Sequence, residues 1–434
     1  MDEARLRALV REDAVHRDLY VDPAVFALEM RRLWRRSWLF VGHDSQVPSP
    51  GDFATLDLGN QPVLMVRRED GAISVLHNRC AHKGAPLATA AAGHAGERLR
   101  CPYHGWTYRL DGHLASVPLR EAYADSAFRD CPASGGLSPW GEVAVHRGFV
   151  FARAEAGGPG FGESLGELLP ALDRMADRSP TGRLQVAGGV LRTAVRANWK
   201  IYLENVNDAL HPVTTHASAS LSARTVWESA ARTGEPPLAL RQLLPFGSGH
   251  AFYEAMGGRV LPGGHSVLGT RTSLHDGGSG HDGYDAALEA AHGPERARQA
   301  LGFVPQNVVF YPAMALKASP AVMRVLRPRG PDRTVVEAWA FQPEGAPDSL
   351  LEAALAYNRQ VFSPLSMVAH DDLHLFERTQ LGLAGEGNPW VSLHRGSRPA
   401  GDAPPPRDVG GTDEALLRNQ YRAWVALMAP AEAG

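Results

Sequence analysis

Two short loops constrain this chain more than any other stretch. One reads C-A-H at residues 80–82, the other C-P-Y-H at 101–104, and eighteen residues separate them. Each offers one thiolate and one imidazole at the end of a strand-like run. The surrounding runs S-W-L-F-V-G-H, F-A-T-L-D-L, P-V-L-M-V-R-R and A-I-S-V-L-H are broken by Gly, Pro and Asp, which predicts a small all-β module. Zinc modules usually pair like ligands within each half, as C-x-x-C and H-x-x-x-H. One Cys and one His from each of two loops better suits a two-iron, two-sulfide cluster, with Cys80 and Cys101 on one iron and His82 and His104 on the other. A tetrahedral zinc is the alternative. Gly105 would allow backbone to approach the cluster closely, and Trp106 would wall it from water. The third cysteine, Cys131, lies outside both loops and reads as a structural residue.

A chain of 434 residues is too long for one simple core, and 44% apolar with 21% charged residues is ordinary globular composition. The Gly/Pro-rich stretch A-E-A-G-G-P-G-F-G-E-S (154–164) reads as the linker between two domains. Residues 2–13 and 22–36 read as helices. In the second, Asp22 is the cap, Pro23 opens the first turn, and Phe26, Met30 and Leu33 form the stripe. A net charge of -3 gives no reason to expect nucleic acid or an anionic membrane as partner. No apolar run approaches the ~20 residues of a membrane span, and the N-terminus has no apolar signal core, so a cytoplasmic protein is expected.

A second constellation begins at W-K-I-Y-L-E-N-V-N-D-A-L-H-P-V-T-T-H (199–216). Helical spacing puts Glu204, Asp208 and His211 on one face, Pro212 stops the helix, and His216 follows. On this stretch alone, a core histidine plus a loop histidine is as good a reading as a metal site. Residues 348–380 read as helical and carry S-P-L-S-M-V-A-H-D-D-L-H-L-F-E-R-T-Q. There Asp372 is the one charge in a stripe of Leu365, Val368, Ala369, Leu375, Phe376 and Thr379, whereas Asp371 lies nearer the polar face. A carboxylate in an apolar stripe needs a partner. With His211 and His216, Asp372 makes the two-His, one-carboxylate triad of non-haem Fe(II) sites. Residues 217–300 show little pattern, and His265, His275 and His281 there read as solvated loop histidines. Residues 303–345 read as antiparallel strands, and 413–428 as an amphipathic helix.

C-A-H-K-G-A and C-P-Y-H-G-W-T-Y resemble the two ligand loops of the Rieske domain of bacterial aromatic-ring-hydroxylating oxygenases. D-D-L-H-L-F-E-R-T-Q-L-G-L resembles the carboxylate helix of the same family, large (α) subunit. The likeness implies an α+β protein: N-terminal helices (1–37) packing with the catalytic domain, an all-β Rieske [2Fe-2S] domain (38–156), and a helix-grip catalytic domain (157–434), a curved antiparallel sheet around a long helix. It implies a terminal oxygenase that hydroxylates an aromatic compound with O₂. Electrons would come from a reductase or ferredoxin through the cluster to Fe(II). It implies a ring of three subunits, with or without a small β subunit. In that ring Asp208 would link His104 of one subunit to His211 of the next, and Asn205 would be a polar residue of the same site. The chain has no Gly-rich dinucleotide fingerprint, so NAD(P)H would act through a separate reductase. Arg324, Arg327 and Arg395 lie on segments that could border the pocket. Arg395 is the one singled out to hold an aromatic carboxylate. Other readings are a monooxygenase that removes O- or N-alkyl groups or oxidises a quaternary amine, an electron carrier whose second domain binds a partner, and a zinc-stabilised binding module.

Overall fold

The computed structural model describes residues 2–230, 234–275, 283–398 and 401–430. The chain divides into two compact units, Trp34–Pro159 and Met1–Leu33 together with Gly160–Gly434. The smaller unit is built from antiparallel strands. Leu39–His43, Phe149–Arg153 and Glu142–His146 form one sheet. Ile73–His77, Gln61–Arg67, Asp52–Leu58 and Ala92–His94 form a second. Leu99–Arg100, Thr107–Tyr108 and Leu114–Ser116 form a third. Leu64, Val66, Leu76, Leu99, Tyr108 and Leu110 share one core with Cys80 and Cys101. The cysteines therefore belong to the apolar interior from which their loops emerge.

The larger unit is organised on an eight-stranded antiparallel sheet. In chain order its strands are β1 (Leu184–Val195), β2 (Gly258–Val260), β3 (Ser266–Leu268), β4 (Asn307–Phe310), β5 (Met314–Lys317), β6 (Val322–Gly330), β7 (Arg333–Pro343) and β8 (Arg407–Val409). In space they run β1-β7-β6-β5-β4-β3-β2-β8. Four helices matter for the site: α1 (Pro23–Arg31), α2 (Trp199–Val206), α3 (Met367–Ala384) and α4 (Ala415–Met428). The long helix α3 packs against β1 and α2, which is the helix-grip arrangement. Ser366 caps α3 by accepting from the Ala369 N–H. At α1, Asp22 accepts from the Ala24 N–H and Pro23 occupies the first turn. β1 carries a bulge between Ala187 and Val190. Gly188 there has φ +69, and a Cβ would lie 2.2 Å from Leu355 Cδ2, so glycine admits the helix Asp348–Tyr357 to the sheet.

Several expectations need correction. The unpatterned region 217–300 is largely helical, with Ala217–Ser229, Leu238–Leu243, His250–Met256, Tyr284–His292 and Pro294–Gly302. Helix α4 is not a simple amphipath. Arg418, Asn419 and Gln420 are buried among its apolar residues. The cost is offset by bonding: Arg418 pairs with Asp402 and Asp413 and donates to the Leu393 carbonyl. Leu365 is 96% exposed and Leu375 44% exposed, so neither belongs to the apolar stripe of α3.

Two buried polar clusters bind the helices together. Glu29 of α1 and Lys200 of α2 form a 2.6 Å ion pair with side chains 0% and 2% exposed. Trp199 and Trp424 donate their indole N–H groups to the same carboxylate at 2.9 and 2.7 Å. Glu29→Ala leaves a buried ammonium unpaired and should cost about 3–5 kcal/mol in chemical denaturation, whereas the double change Glu29→Met with Lys200→Met should cost far less. The second cluster joins Glu204 to the hydroxyls of Tyr20 and Tyr421. Burial pushes the Glu204 carboxyl up to about 7, against the lowering effect of both tyrosine bonds. The folded state then holds a proton that the unfolded chain releases near pH 4.3. Stability from this group is full below that value, falls as pH rises to about 7, and is level above it. Glu204→Gln should flatten that slope and raise stability at pH 8 by about 3 kcal/mol, read as a shift in denaturation midpoint.

Candidate functional site

The cysteine loops are closed by their own backbones. Gly84 N–H donates to the Cys80 carbonyl, and Gly105 N–H to the Cys101 carbonyl. Gly105 sits at φ +70, where a side chain is disfavoured. Against protein atoms alone the position is open, since a Cβ there would meet Arg100 and Pro118 at an ordinary 3.6 Å. The His82 and His104 rings lie 4.6 Å apart. Trp106, 2% exposed, stacks on His82 at 4.7 Å with 4° between planes. The Tyr108 hydroxyl is 3.0 Å from Cys80 Sγ and accepts from the Ala81 N–H. Burial, then the bond to Cys80, raises that phenol well above its ordinary range, so it is a lasting donor to a thiolate. His82 Nδ1 is buried without a hydrogen-bond partner. An orphaned imidazole nitrogen beside two buried thiols fits a metal cluster. Among the described residues, these four do not gather as ligands of a single ion, whereas another set does. That favours a two-metal cluster over one tetrahedral zinc. Cys131 is exposed at the junction of two short 3-10 turns, not a core residue.

The other set is His211, His216 and Asp372, whose ligand atoms all lie within 4.8 Å of one another. Helix α2 ends at Val206, earlier than the spacing predicts. The Asp208 carboxylate accepts from the N–H groups of Leu210 and His211 at 3.1 and 2.9 Å, and this local cap turns the chain out of the helix. Pro212 then opens the short helix Pro212–Thr215 rather than stopping α2. Glu204 consequently shares no face with His211; it faces the tyrosine cluster. His216 Nε2 lies 3.4 Å and His211 Nε2 3.8 Å from Asp372 Oδ1. Asp371 stands behind His216, 3.9 Å from its Nδ1, and accepts from the Ser218 hydroxyl. Asn205 Nδ2 is 3.0 Å from His211 Nε2 and donates to Asp372 Oδ1 at 3.1 Å.

Asp208 also lies 3.2 Å from His211 Nδ1. Burial would raise its carboxyl, but the bonds from His211 and Leu210 outweigh burial and hold it below the usual range. An anion at Nδ1 fixes that nitrogen as the protonated one and leaves Nε2 free to ligate. Two imidazoles and a carboxylate converging within 4.8 Å make a donor set suited to Fe(II).

The triad opens on a mostly apolar pocket walled by Phe246, Leu274, Val336, Phe362, Val368 and Phe376. Tyr202, Gln306, Asn307 and Arg324 are among its other polar groups. Val361 and Phe362 come from a π-helical turn, Asn358–Phe362. Arg395 does not line this pocket. Its guanidinium donates to Asp208 at 2.9 Å and pairs with Glu414, so it holds the acid rather than a substrate. Arg327 is buried in the sheet and paired with Glu337. Arg324 is the pocket arginine. The period of two on β6 puts Arg324 and Arg327 on opposite faces, a signal that separates them without a structure. Tyr202, on the α2 stretch, was missed. His265 and His275 are not solvated. His265 Nδ1 accepts from the Tyr311 N–H, and burial lowers its pKa to about 4; His275 bonds the Gln242 carbonyl, and burial lowers it to about 3. His281 lies outside the described residues.

Comparison with known proteins adds independent findings. Residues 37–127 match the Rieske [2Fe-2S] domain, and residues 187–430 match the catalytic domain of the ring hydroxylating alpha subunit. The chain is 31% identical to the biphenyl dioxygenase subunit alpha of Paraburkholderia xenovorans (strain LB400), over 94% of this chain and 90% of that one. It is 28% identical to the toluate 1,2-dioxygenase subunit alpha of Pseudomonas putida, over 94% and 89%. Naphthalene 1,2-dioxygenase with indole bound in the active site superposes with a TM-score of 0.78 at 25% identity, covering 100% of this chain and 96% of that one. Two domain matches, in the chain order of the two constellations, place this protein in the family of ring-hydroxylating dioxygenase alpha subunits, oxidoreductases that carry a Rieske [2Fe-2S] cluster and a mononuclear iron and incorporate O₂.

Proposed function

We propose that this chain hydroxylates an aromatic ring at a mononuclear iron held by His211, His216 and Asp372, supplied with electrons by a [2Fe-2S] cluster on Cys80, His82, Cys101 and His104. The observation that carries this reading is the convergence of three ligand atoms within 4.8 Å at the wall of a mostly apolar pocket. When bound, the cluster stores an electron and the iron activates O₂. The protein's own residues do the rest. Asp208 sets the tautomer and orientation of His211, and Arg395 holds Asp208 in place. Asn205 steadies Asp372 through its Oδ1. The apolar walls receive a flat ring and keep water from the reacting face.

Family members work with a reductase or ferredoxin and form oligomers. For this chain we propose a ring of three subunits, with or without a β subunit, in which the exposed His104 meets Asp208 of a neighbouring copy. Among the described residues no helix is long and apolar enough to cross a membrane.

Labelled O₂ tests the reaction. With a reductase and an arene substrate, two labelled oxygens on the ring support dioxygenation. One labelled oxygen with loss of an alkyl group means the monooxygenase reading instead. His211→Ala should abolish turnover and remove the mononuclear iron while the visible spectrum of the cluster persists. Asp208→Asn should lower turnover or iron affinity by about 10–100-fold. Full turnover by His211→Ala would overturn the ligand assignment.

A further inference from the structure

We propose that Arg324 anchors the substrate, and that the ring hydroxylated here bears a carboxylate. This rests on reading the triad pocket as the oxygenation site. Arg324 stands on β6 between two alanines, Ala315 of β5 and Ala338 of β7. Its neighbours are small where a large residue would fill the pocket, so the guanidinium has room to project into it. Among the described residues lining the pocket, Arg324 is the one lysine or arginine.

Every partner of that guanidinium is neutral. It donates to the Asn307 side-chain oxygen, it lies near enough to Tyr202 to act on that phenol, and its carbon lies 4.6 Å from the centre of the Phe362 ring. Burial raises the Tyr202 phenol despite the neighbouring cation, so Tyr202 is not a tyrosinate counter-ion. Among the described residues no carboxylate lies within ion-pair distance of Arg324. The contrast is with Arg327 on the opposite face of the same strand, which pairs with Glu337 at 3.1 Å, and with Arg418, which pairs with two aspartates. Where this unit buries those arginines for structure, it supplies an acid. At Arg324 it does not, and a permanently charged group on a mostly apolar wall is unfavourable unless an anion arrives. Asn307 takes part of the five-donor fork; the remainder can meet a carboxylate side by side. Tyr202 senses both Arg324 and Asp372, so the anchor and the triad share one cavity. Phe362 lies under the guanidinium and helps to hold it at the pocket wall.

The test uses the reconstituted oxygenase with its electron donor, benzoate as the acid and benzamide as its neutral isostere. Calorimetric affinity and labelled-O₂ products are read in parallel. The wild-type protein should bind benzoate about 30-fold or more tighter than benzamide. Arg324→Gln should erase most of that preference and leave benzamide affinity within about 3-fold. Arg324→Lys should recover part of it, because an ammonium cannot make the paired contact. Equal affinity of the wild type for acid and amide would overturn the proposal without any variant. So would equal loss of both ligands in Arg324→Gln with the cluster spectrum intact. The two readings fail separately. Neutral arenes doubly labelled by an enzyme indifferent to the carboxylate would sink the anchor alone. A tight, Arg324-dependent benzoate complex that never gains oxygen would sink the oxygenase reading alone.

Discussion

Three ligand atoms from two distant stretches of chain must meet within 4.8 Å, and much of the catalytic unit serves that requirement. His211 and His216 flank a four-residue helix, Pro212–Thr215, an element too short to hold a position by itself. Asp372 sits on the longest described helix. The short segment is fixed by the Asp208 cap, by Asn205 reaching across to Asp372, and by the burial of Pro212 and His216. The long helix is fixed by its serine cap and by Val368, Ala369 and Phe376 packed inward. The sheet beneath supplies a surface on which both can rest. An ångström of slack at these residues would leave one imidazole without a common partner.

That division explains which parts were legible in the amino-acid order. The cysteine–histidine loops are local: four donors within two short turns, with spacing that carries the chemistry. Asp372 announces itself as a charge among apolar neighbours, although Leu365 and Leu375, which helped to define that stripe, turn outward. The helix through Asp208 and His211 was misjudged because periodicity cannot see a side chain competing for backbone donors. An aspartate that bonds two N–H groups ahead of it ends a helix as surely as proline does. The region after residue 217 was opaque for another reason. A-S-A-S-L-S-A-R-T has almost no apolar contrast, and the helix there is dictated by what it packs against.

Three of the buried charge clusters follow a rule that only contacts reveal, whereas the buried Arg178 is held by the Leu301 and Phe303 carbonyls. Glu29 has Lys200 and two indoles; Arg418 has Asp402 and Asp413; Arg327 has Glu337. The Glu29 cluster ties together elements remote in sequence, and each cluster would be costly if half of it were missing. Arg395 obeys the same rule, spending its charge on Asp208 and Glu414. This is why a pocket role for it fails: its fork is already committed to the residue that orients His211.

Pairing also separates structural charge from working charge. A side chain that completes a network within the fold has little left to offer a ligand, whereas one held only by neutral groups keeps its field. On the proposed reading the working groups are the triad and Arg324, and they line one pocket whose remaining walls are mostly apolar. The low polarity of those walls strengthens every charge that remains inside them. A ring entering such a space is received by packing, but packing alone leaves its rotation undetermined. A fixed cation away from the metal ligands would settle which carbons face the triad, and regiochemistry would then follow from where the sheet places one strand residue.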